Sequence, residues 1–554
     1  MSPPGATPTI GTADLVQDLL RPAAYPWRPP TVDLITTHIS WVFLAGDRVV
    51  KVKRPVAFGF VDHSTRERRH QSCQDEVRLN RRLTSNLYLG VVPIVRGEDG
   101  LRVDGSGPPV EWATLMRRLP ATGMLDTLLA AGTAPADLAE RLATRLLPFH
   151  RDGAGDCGAT GWGAPAATFR VLTDNLDELR PFAGAVLAPG QLALVEQALR
   201  TFLADHRARL SERAATGWVR DGHGDLRAEH VCFEPDGTLQ IFDCLEFNPA
   251  FRCADIASDL AFLLMDLERL GATAVAAALL ARYRAAGVLL PDDLVRLYRA
   301  HRALVRAKVA CLSIPSIGTG TGPGRDSQPS DRVDEAVTYV DLATAAALTI
   351  RPVLLVMTGL SGTGKSTVAQ RLARALGASL LASDRVRKDL AGVAGAAPAA
   401  WGEGLYDARW TEATYRALFA RAATALAAGQ PVVLDATFLA PTQRQGAAAV
   451  AARAGGPLLL VETICDEATV AARLAARAAR GDSPSDATLT TYQRQRAALA
   501  ASPPPVPPGA VTVQVDTSAA GPITLDPVLA ALVGAGVLHP SVPAHDADAR
   551  GPAR

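Results

Sequence analysis

VLLVMTGLSGTGKSTVAQRLARALG, residues 353–377, joins an apolar strand, a glycine-rich loop and an amphipathic helix that ends at Gly377. The glycines of the loop let backbone N–H groups turn toward one point in front of the helix, where the helix dipole favours an anion. This order of elements predicts a parallel α/β fold with a phosphate-binding loop in the C-terminal half of the chain.

The side chains of this loop supply the rest of the phosphate-binding chemistry. Residues 359–366 match the pattern GxxxxGK[ST], in which Lys365 reaches the β- and γ-phosphates of a nucleotide and Ser366 binds Mg²⁺. The alternative is a glycine-rich turn with a surface lysine, but such a turn needs no strand before it and no helix after it. We predict that the nucleotide contacts Gly359, Ser361, Gly362, Thr363, Gly364, Lys365, Ser366 and Thr367.

Two aspartates follow the next two strand-like runs. Asp384 comes just after residues 379–382, and Asp435 comes just after residues 431–434. Carboxylates at the carboxyl ends of parallel strands face the crevice in which α/β sheets bind ligands. We therefore predict catalytic roles for both: Asp435 binds Mg²⁺ or its water shell, and Asp384 contacts the acceptor hydroxyl. The alternative for each is a cap on the following helix.

Arginines recur along a later helix. Arg473, Arg477 and Arg480 share one helical face just before the loop GDSPSD, residues 481–486. Such a row is either a solvated face or a lid whose guanidinium groups close over the transferring phosphoryl group. We predict the lid, with Arg473 and Arg477 on the nucleotide.

The motifs GLSGTGKST, SDRVRK, VVLDATF with downstream Arg444, and RLAARAARGDSPSDA span residues 352–517. This stretch resembles the small-molecule P-loop kinases of the gluconate-kinase, adenylate-kinase and zeta-toxin type. The resemblance implies a doubly wound core and ATP-dependent phosphorylation of a small molecule. It also implies that Arg387 and Arg444 lie with Asp384 in the acceptor site.

A second set of phosphoryl-transfer residues lies in the segment HGDLRAEHVCFEPDGTLQIFD, residues 223–243. Two strand-like runs flank the turn PDG, so the segment predicts a hairpin that brings Asp225 near Asp243. This pair of carboxylates suits phosphoryl transfer: Asp225 would accept the proton of the acceptor hydroxyl, and Asp243 would hold Mg²⁺.

A lysine-bearing hairpin is predicted upstream, in WVFLAGDRVVKVK, residues 41–53. Strand alternation places Lys51 and Lys53 on the same face, and Glu76 lies on a following helix. A strand lysine paired with a helix glutamate orients the α- and β-phosphates in protein-kinase-like folds.

The motifs ISWVFL, VVKVKRPVAFGF, DEVRLNRRL, HGDL and IFDCLEFNP lie within residues 30–310. This region resembles the aminoglycoside-phosphotransferase and choline-kinase-like branch of the kinase superfamily. The order of the two halves resembles bacterial fusion proteins known as bifunctional aminoglycoside phosphotransferase/ATP-binding proteins. The resemblance implies an α+β protein-kinase-like fold with Asp225 as base, Asp243 as metal ligand and Lys51, or alternatively Lys53, as the ATP lysine. It also implies that Asp259 supports the catalytic loop.

One residue departs from the pattern of that family. His230 stands five residues after Asp225, where the family has an asparagine that binds a second Mg²⁺. Imidazole is a poor ligand for Mg²⁺ but suits softer divalent ions. Three explanations stay open: Glu229 or Glu246 supplies the oxygen, the metal is Mn²⁺ with His230 as a ligand, or this module is catalytically weak.

Composition excludes some classes of function. With 57 Lys+Arg against 56 Asp+Glu, a net charge of +1 and 5% aromatic residues, the chain lacks the footprint of a dedicated nucleic-acid binder. Arginine so outnumbers lysine that each of the few lysines suggests a specific role. These are Lys51, Lys53, Lys308, Lys365 and Lys388.

No apolar run is long enough for a membrane helix, and no secretory signal is visible. The seven cysteines show no CxxC or other metal-ligand spacing, so we expect reduced thiols in a cytoplasmic protein. The sequence predicts no oligomeric state.

A stretch rich in Gly, Pro, Ser and Thr at residues 313–332 divides the chain. We predict a kinase domain over 1–312, a linker and connecting helix over 313–349, a P-loop domain over 350–530, and a tail over 531–554 that is disordered at its end.

The two motif sets predict two ATP-using kinase modules that phosphorylate hydroxyl groups of small molecules such as sugars, amino sugars or nucleosides. A first alternative, motivated by His230 and by the lack of GxGxxG before Lys51, is an N-terminal pseudokinase that senses a ligand and regulates the C-terminal enzyme. A second alternative is a C-terminal zeta-toxin-like or polynucleotide 5′-kinase.

Overall fold

The computed structural model describes residues 12–59, 61–153, 157, 161–162, 164–314, 329–391, 408–480, 488–519 and 521–542. Most of the predicted linker, the loop after the arginine-bearing helix and the end of the predicted tail lie outside these residues. The described residues group into two compact units. The first unit is drawn from Met1–Asp177, Asp205–Arg302 and Leu312–Arg332, and the second from Glu178–Ala204, Ala303–Cys311 and Val333–Arg554.

The described residues form 19 α-helices and 19 strands, besides short 3₁₀ and π turns. The helices are α1 Thr12–Leu19, α2 Arg66–Asn80, α3 Leu125–Ala130, α4 Leu138–Pro148, α5 Pro165–Leu179, α6 Pro189–Asp205, α7 Arg207–Ala215, α8 Pro249–Arg252, α9 Ile256–Arg269, α10 Thr273–Ala285, α11 Asp292–Leu312, α12 Pro329–Ala347, α13 Lys365–Leu376, α14 Ser383–Ala391, α15 Ala408–Ala427, α16 Pro441–Arg453, α17 Glu467–Arg480, α18 Leu489–Ala501 and α19 Asp526–Gly534. The strands are β1 Val32–Thr36, β2 Ser40–Ala45, β3 Arg48–Lys53, β4 Ala57–Phe58, β5 Val61–Asp62, β6 Tyr88–Gly97, β7 Gly100–Val103, β8 Pro109–Arg117, β9 Val219–Asp221, β10 Val231–Phe233, β11 Leu239–Ile241, β12 Cys253–Asp255, β13 Thr349–Ile350, β14 Leu354–Thr358, β15 Ser379–Ala382, β16 Val432–Asp435, β17 Leu458–Ile464, β18 Val511–Asp516 and β19 Leu538–His539.

The first unit begins with a six-stranded antiparallel sheet in the order β1-β2-β3-β8-β6-β7. Val50 and Val52 of β3 are fully buried in the core on one face of this sheet, together with Phe43 and Ile94. Strand alternation therefore turns the intervening residues of β3 to the opposite face, on which α2 packs against β8 and β6.

Two short strand pairs in the first unit frame the loop over residues 222–230. Strand β9 leads into this loop and pairs antiparallel with β12, and β10 leads out of it and pairs antiparallel with β11. The Asp255 carboxylate, at the end of β12, accepts from the N–H of Ala257 and caps α9. Arg213 donates to both oxygens of Asp255 at 2.5 and 2.8 Å, which fixes β12 to α7.

One pair of cysteines corrects the expectation of seven reduced thiols. Cys157 and Cys253 form a disulfide, with Cα atoms 5.8 Å apart across 96 residues of sequence. Their pairing depends on how the chain folds back onto β12, which their sequence spacing does not reveal.

The second unit contains a five-stranded parallel sheet in the order β15-β16-β14-β17-β18. All five residues of β14 are buried, because a parallel sheet covered on both faces needs apolar residues without alternation. Leu354 and Val356 of β14 share a core with Tyr415 of α15 and Val450 of α16.

Helix α13 is fixed to α12 by a buried ion pair in the second unit. Arg371 of α13 donates to both carboxylate oxygens of Asp341, which is fully buried, at 3.1 and 2.9 Å. Gln191 of α6 donates to the same carboxylate at 3.0 Å.

The predicted fold class is confirmed: an N-terminal α+β protein-kinase-like part and a C-terminal doubly wound P-loop part. The hairpins β2–β3 and β10–β11, the strands β14, β15 and β16, and helix α13 all lie where the sequence predicts them. The predicted domain boundaries stay a prediction.

Candidate active sites

Lys51 and Lys53 both bind Glu76 of α2. Lys51 Nζ lies 2.7 Å from Glu76 Oε1, and Lys53 Nζ lies 2.9 Å from Glu76 Oε2. The Thr114 hydroxyl also donates to Glu76 at 2.9 Å. Burial alone would raise the pKa of the Glu76 carboxyl, but the two lysines outweigh burial and lower this pKa. Glu76 therefore stays ionised between two cations.

The ion-pair chain continues into the segment after β11. Lys51 Nζ lies 2.6 Å from Asp243 Oδ1, and Lys53 Nζ lies 2.5 Å from Glu246 Oε1. Burial opposes the charge on Lys51, but the surrounding carboxylates raise its pKa well above the ordinary value. The pKa of Asp243 is lowered for the same reason, since Lys51 outweighs the effect of burial. The structure thus brings together all four predicted residues: Lys51, Lys53, Glu76 and Asp243.

Asp225 lies in the loop over residues 222–230, held by Arg227. Arg227 Nε donates to Asp225 Oδ1 at 2.9 Å, and Arg227 Nη2 donates to Asp225 Oδ2 at 3.0 Å. The same guanidinium pairs with Glu229. His230 Nδ1 donates to the backbone oxygen of Asp225 at 2.8 Å, so His230 Nε2 faces the remaining groups of the site.

Asp259 supports this loop from α9. Its carboxylate accepts from the backbone N–H groups of His223 at 2.6 Å and Gly224 at 2.8 Å, and lies 3.2 Å from His150 Nε2. Burial lowers the pKa of His223 to about 4, so His223 is neutral at pH 7. His223 thus occupies a structural position, with Nε2 2.9 Å from the backbone oxygen of Phe242.

The residues around Asp243 could hold one divalent cation together with nucleotide phosphates. His230 Nε2 lies 3.5 Å from Asp243 Oδ2. Among the described residues, no group of three or more His, Cys, Asp or Glu side chains is arranged to hold a metal. A site of one or two protein ligands fits Mg²⁺ in kinases, because phosphates and water complete its shell. Glu246, one suggested replacement ligand, is instead bound to Lys53.

The phosphate-binding loop of the second unit connects β14 to α13. Gly359, Gly362 and Gly364 all adopt positive φ angles, of 126°, 85° and 84°. A Cβ atom on Gly362 would lie 3.0 Å from a methyl carbon of Val470 and 3.1 Å from Leu474 of α17. The loop therefore requires glycine at this position both for its backbone conformation and for its packing.

Lys365, Ser366 and Asp435 meet at this loop. Lys365 Nζ donates to the backbone oxygen of Leu360 at 2.6 Å. Burial lowers the pKa of Lys365 to about 8, against the attraction of Asp435. Burial also raises the pKa of Asp435, although a hydrogen bond from Ser366 opposes this rise. These three groups could hold a phosphate chain and an oxygen-preferring cation.

The predicted acceptor residues have different hydrogen-bond partners. Arg387 Nη1 donates to Asp384 Oδ1 at 2.8 Å near the carboxyl end of β15. Arg444 is buried and donates to the backbone oxygens of Phe438 at 3.0 Å and Pro504 at 3.1 Å. Its substrate role stays a prediction.

The two arginines of α17 have different surroundings. Arg473 donates to the backbone oxygen of Thr517 at 2.6 Å and to its hydroxyl at 3.1 Å. Arg477 lies close enough to Lys365 for its charge to lower the pKa of that lysine. The side chain of Arg480 lies outside the described residues.

Sequence reasoning missed several contacts of both sites. Gln495 of α18 accepts from the N–H of Ser361 at 2.8 Å, and Thr517 donates to the backbone oxygen of Thr363 at 2.9 Å. These partners lie 134 and 154 residues apart, so no local pattern could reveal them. The contact between Arg227 and Asp225 had one signal in the sequence, because Arg227 follows Asp225 by two residues. The sequence does not give the direction of the Arg227 side chain.

The profile of the phosphotransferase enzyme family matches residues 27–303, half of the chain, and that of an AAA domain matches residues 354–502. An uncharacterized protein of Mycobacterium tuberculosis strain H37Rv is 32% identical over 452 residues, which cover 81% of this chain and 87% of that protein. The chain belongs to the phosphotransferase enzyme family. This phosphotransferase also carries a C-terminal P-loop kinase-like domain, so the resemblance stated for both halves is confirmed.

Solved structures similar to parts of this phosphotransferase include two kinases and an aminoglycoside phosphotransferase. A choline/ethanolamine kinase family protein from Mesorhizobium loti is 13% identical, with a TM-score of 0.36, and the match covers 60% of this chain and 94% of that one. Aminoglycoside 2′-phosphotransferase-IIIa is 16% identical, with a TM-score of 0.33 and coverage of 57% and 92%. A gluconokinase from Sinorhizobium meliloti 1021 is 23% identical, with a TM-score of 0.20 and coverage of 29% and 82%.

In the part of the phosphotransferase that the structure describes, no helix is long and apolar enough to cross a membrane.

Proposed function

We propose that the protein is an ATP-dependent phosphotransferase with two kinase modules, each of which transfers the γ-phosphoryl group of ATP to a hydroxyl group of a small molecule. The observation that carries this proposal is the pair of contacts made by Lys51, 2.7 Å to Glu76 and 2.6 Å to Asp243. These contacts support the proposal because Lys51 would bind the phosphates and Asp243 would hold the metal ion in such a module. The acceptor class is a sugar, an amino sugar or a nucleoside-like compound.

In the N-terminal module, Lys51 would release Asp243 and bind the α- and β-phosphates. Glu76 would keep the ammonium group of Lys51 in place. Asp243 would then hold a divalent cation, Mg²⁺ or Mn²⁺, with His230 beside it. The cation supplies charge neutralisation at the phosphates. Asp225 accepts the proton of the attacking hydroxyl.

In the C-terminal module, the loop over residues 359–364 and Lys365 would bind the β- and γ-phosphates. Ser366 and Asp435 would hold Mg²⁺ or its water shell. Asp384, fixed by Arg387, would orient the acceptor hydroxyl, and Arg477 would approach the phosphates from α17.

A second candidate function is favoured by His230. An N-terminal pseudokinase would bind nucleotide without transferring its phosphoryl group and would regulate the C-terminal module. Nucleotide binding at the N-terminal site without transfer, in both Mg²⁺ and Mn²⁺, would favour this candidate, and measurable transfer there would eliminate it.

The test is ATP consumption by the full-length protein against a library of sugars, amino sugars and nucleosides. DNA and RNA 5′ ends are included to detect a polynucleotide kinase. We expect Lys365→Ala to remove turnover with one set of acceptors and Asp225→Ala to remove turnover with another. If each variant left all turnover intact, the two-module mechanism would be wrong.

A matched control for Lys365→Ala is Lys308→Ala. Lys308 Nζ pairs with Glu178 at 2.6 Å and belongs to neither proposed site. We expect this variant to keep the turnover of both modules.

A further inference from the structure

Arg227 lies among the reacting groups of the N-terminal site. It is 6% exposed, and its guanidinium contacts the proposed base Asp225 through two nitrogens. Arg227 Nη2 also lies 3.5 Å from His230 Nε2, which in turn lies 3.5 Å from Asp243 Oδ2. The guanidinium of Arg227 therefore contacts the proposed base Asp225 directly, and it is linked to the proposed metal ligand Asp243 through His230.

The guanidinium keeps its charge and has one N–H donor left for a further acceptor. Burial opposes the charge of Arg227, but Asp225 and Glu229 outweigh burial and raise its pKa above the ordinary value. A guanidinium has five N–H groups, of which these two carboxylates engage three, and Nη2 also lies 3.5 Å from His230 Nε2, which takes a fourth. The remaining N–H group, on Nη1, is the donor that could bind a phosphoryl oxygen without breaking the contacts to Asp225.

A second divalent cation does not fit beside Arg227 and His230. His230 occupies the position at which the related kinases have an oxygen ligand. Its Nδ1 donates to the backbone oxygen of Asp225. Its remaining nitrogen, Nε2, lies within 3.5 Å of a guanidinium nitrogen. An ion at this position would lie next to the positive charge of Arg227, and it would lack an oxygen ligand from residue 230.

We propose that Arg227 is a catalytic residue that takes the place of the second metal ion, so that the N-terminal module works with one divalent cation. This inference rests on the proposed function of that module. In the transfer step, the bond between the γ-phosphorus and the β–γ bridging oxygen breaks and a bond to the acceptor oxygen forms. The hydroxyl proton passes to Asp225, and ADP leaves with the electron pair of the broken bond. Arg227 neutralises the charge on the transferring oxygens.

The first experiment counts metal ions without relying on turnover. The full-length Lys365→Ala protein is saturated with Mn²⁺ and the non-hydrolysable analogue AMP-PNP, and bound Mn²⁺ is measured by electron paramagnetic resonance. We expect one Mn²⁺ per bound nucleotide. A ratio of two at the nucleotide site that is lost in Asp225→Ala/Asp243→Ala would overturn the inference.

The second experiment measures ATP turnover in the same Lys365→Ala background. We expect Arg227→Gly to lower the maximal rate by roughly 10³-fold or more, with little change in the KM for ATP. Added guanidinium chloride at millimolar concentration restores part of the rate, whereas the same concentration of tetramethylammonium chloride does not. Removal of a merely structural arginine would instead lower the stability of the fold and the affinity for AMP-PNP.

The outcomes separate this inference from the proposed function. If the parent Lys365→Ala protein shows no turnover with any acceptor or with water, the proposed kinase activity of the N-terminal module fails and the catalytic role of Arg227 fails with it, while the metal count still tests whether the site binds a single cation. If the parent is active and Arg227→Gly is equally active, the inference fails and the proposed function stands. Arg227→Lys, which keeps one point charge, is expected to retain an intermediate rate, and AMP-PNP affinity reports whether each variant is folded.

Discussion

At the scale of single residues, the two lysines of β3 have different surroundings although they share Glu76. Lys51 is 14% exposed and reaches Asp243, whereas Lys53 is fully buried between Glu76 and Glu246. We therefore expect Lys51, and not Lys53, to move toward a nucleotide. Lys53 neutralises the buried carboxylate of Glu246 and shares that of Glu76 with Lys51.

We expect Lys53→Met to lower the free energy of unfolding by about 3–5 kcal/mol, because it leaves the buried Glu246 without a cation and removes one of the two cations that bind Glu76. Lys51→Met is expected to cost less stability and to abolish turnover in the N-terminal module. Chemical denaturation and ATP turnover of both variants check this assignment. Equal losses of stability in the two variants would contradict it. Lys51→Arg should also be inactive, because the planar guanidinium group of arginine does not replace the ammonium group of lysine.

His63 gives a pH dependence with a defined sign. It is 2% exposed, and burial, followed by the charge of Lys53, lowers its pKa to about 4. The unfolded chain binds a proton at this residue near pH 6.5, so the stability of the fold falls as pH drops from about 6.5 toward 4. We expect His63 to account for about 2 kcal/mol of the loss between pH 7 and pH 5. His63→Gln should reduce the slope of unfolding free energy against pH over this interval, and an unchanged slope would show that other groups cause it.

At the scale of elements, the phosphate-binding loop depends on the two helices α17 and α18. Val470 and Leu474 of α17 form a cluster with Tyr492 of α18, and Leu360 of the loop packs against it. Gln495 of α18 accepts from the N–H of Ser361. The loop is therefore shaped by elements far along the chain as well as by its own glycines.

Substitution of a glycine tests this dependence. We expect Gly362→Ala to weaken nucleotide binding at the C-terminal module by at least about tenfold, because a Cβ atom would meet Val470 and Leu474 and φ is 85°. Gly377→Ala is the matched control: this residue ends α13 with φ 59° and has no atom within 4 Å of the added carbon. The control should lose only about 1–2 kcal/mol of stability and should keep its nucleotide affinity. Titration with a fluorescent ATP analogue measures both, and similar affinities for the two variants would contradict the packing argument.

At the scale of the whole molecule, the second unit includes residues that precede the predicted P-loop domain. Arg371 of the P-loop helix α13 forms an ion pair with Asp341 of α12, and Asp341 lies before residue 350. A domain cut at 350 would therefore leave Arg371 without its buried partner.

We expect a fragment of residues 350–554 to be less stable than a fragment of residues 329–554 by about 3–5 kcal/mol, since only the longer fragment keeps Asp341. Asp341→Asn in the longer fragment should reproduce most of the difference. Melting temperatures of the three proteins check the prediction, and equal values for the two fragments would support the boundary at 350.

The sequence by itself determined the local elements of this protein and the residue types of both sites. The spacing in residues 359–366 and in residues 223–243 predicted two phosphate chemistries, because glycine conformation, strand alternation and helix polarity act over a few residues. Only the tertiary structure decided which side chains meet: Lys51 with Asp243 across 192 residues, Arg371 with Asp341, Cys157 with Cys253, and the direction of Arg227. These contacts depend on how distant elements pack and on which buried charge finds a partner, and neither is encoded in a short run of residues.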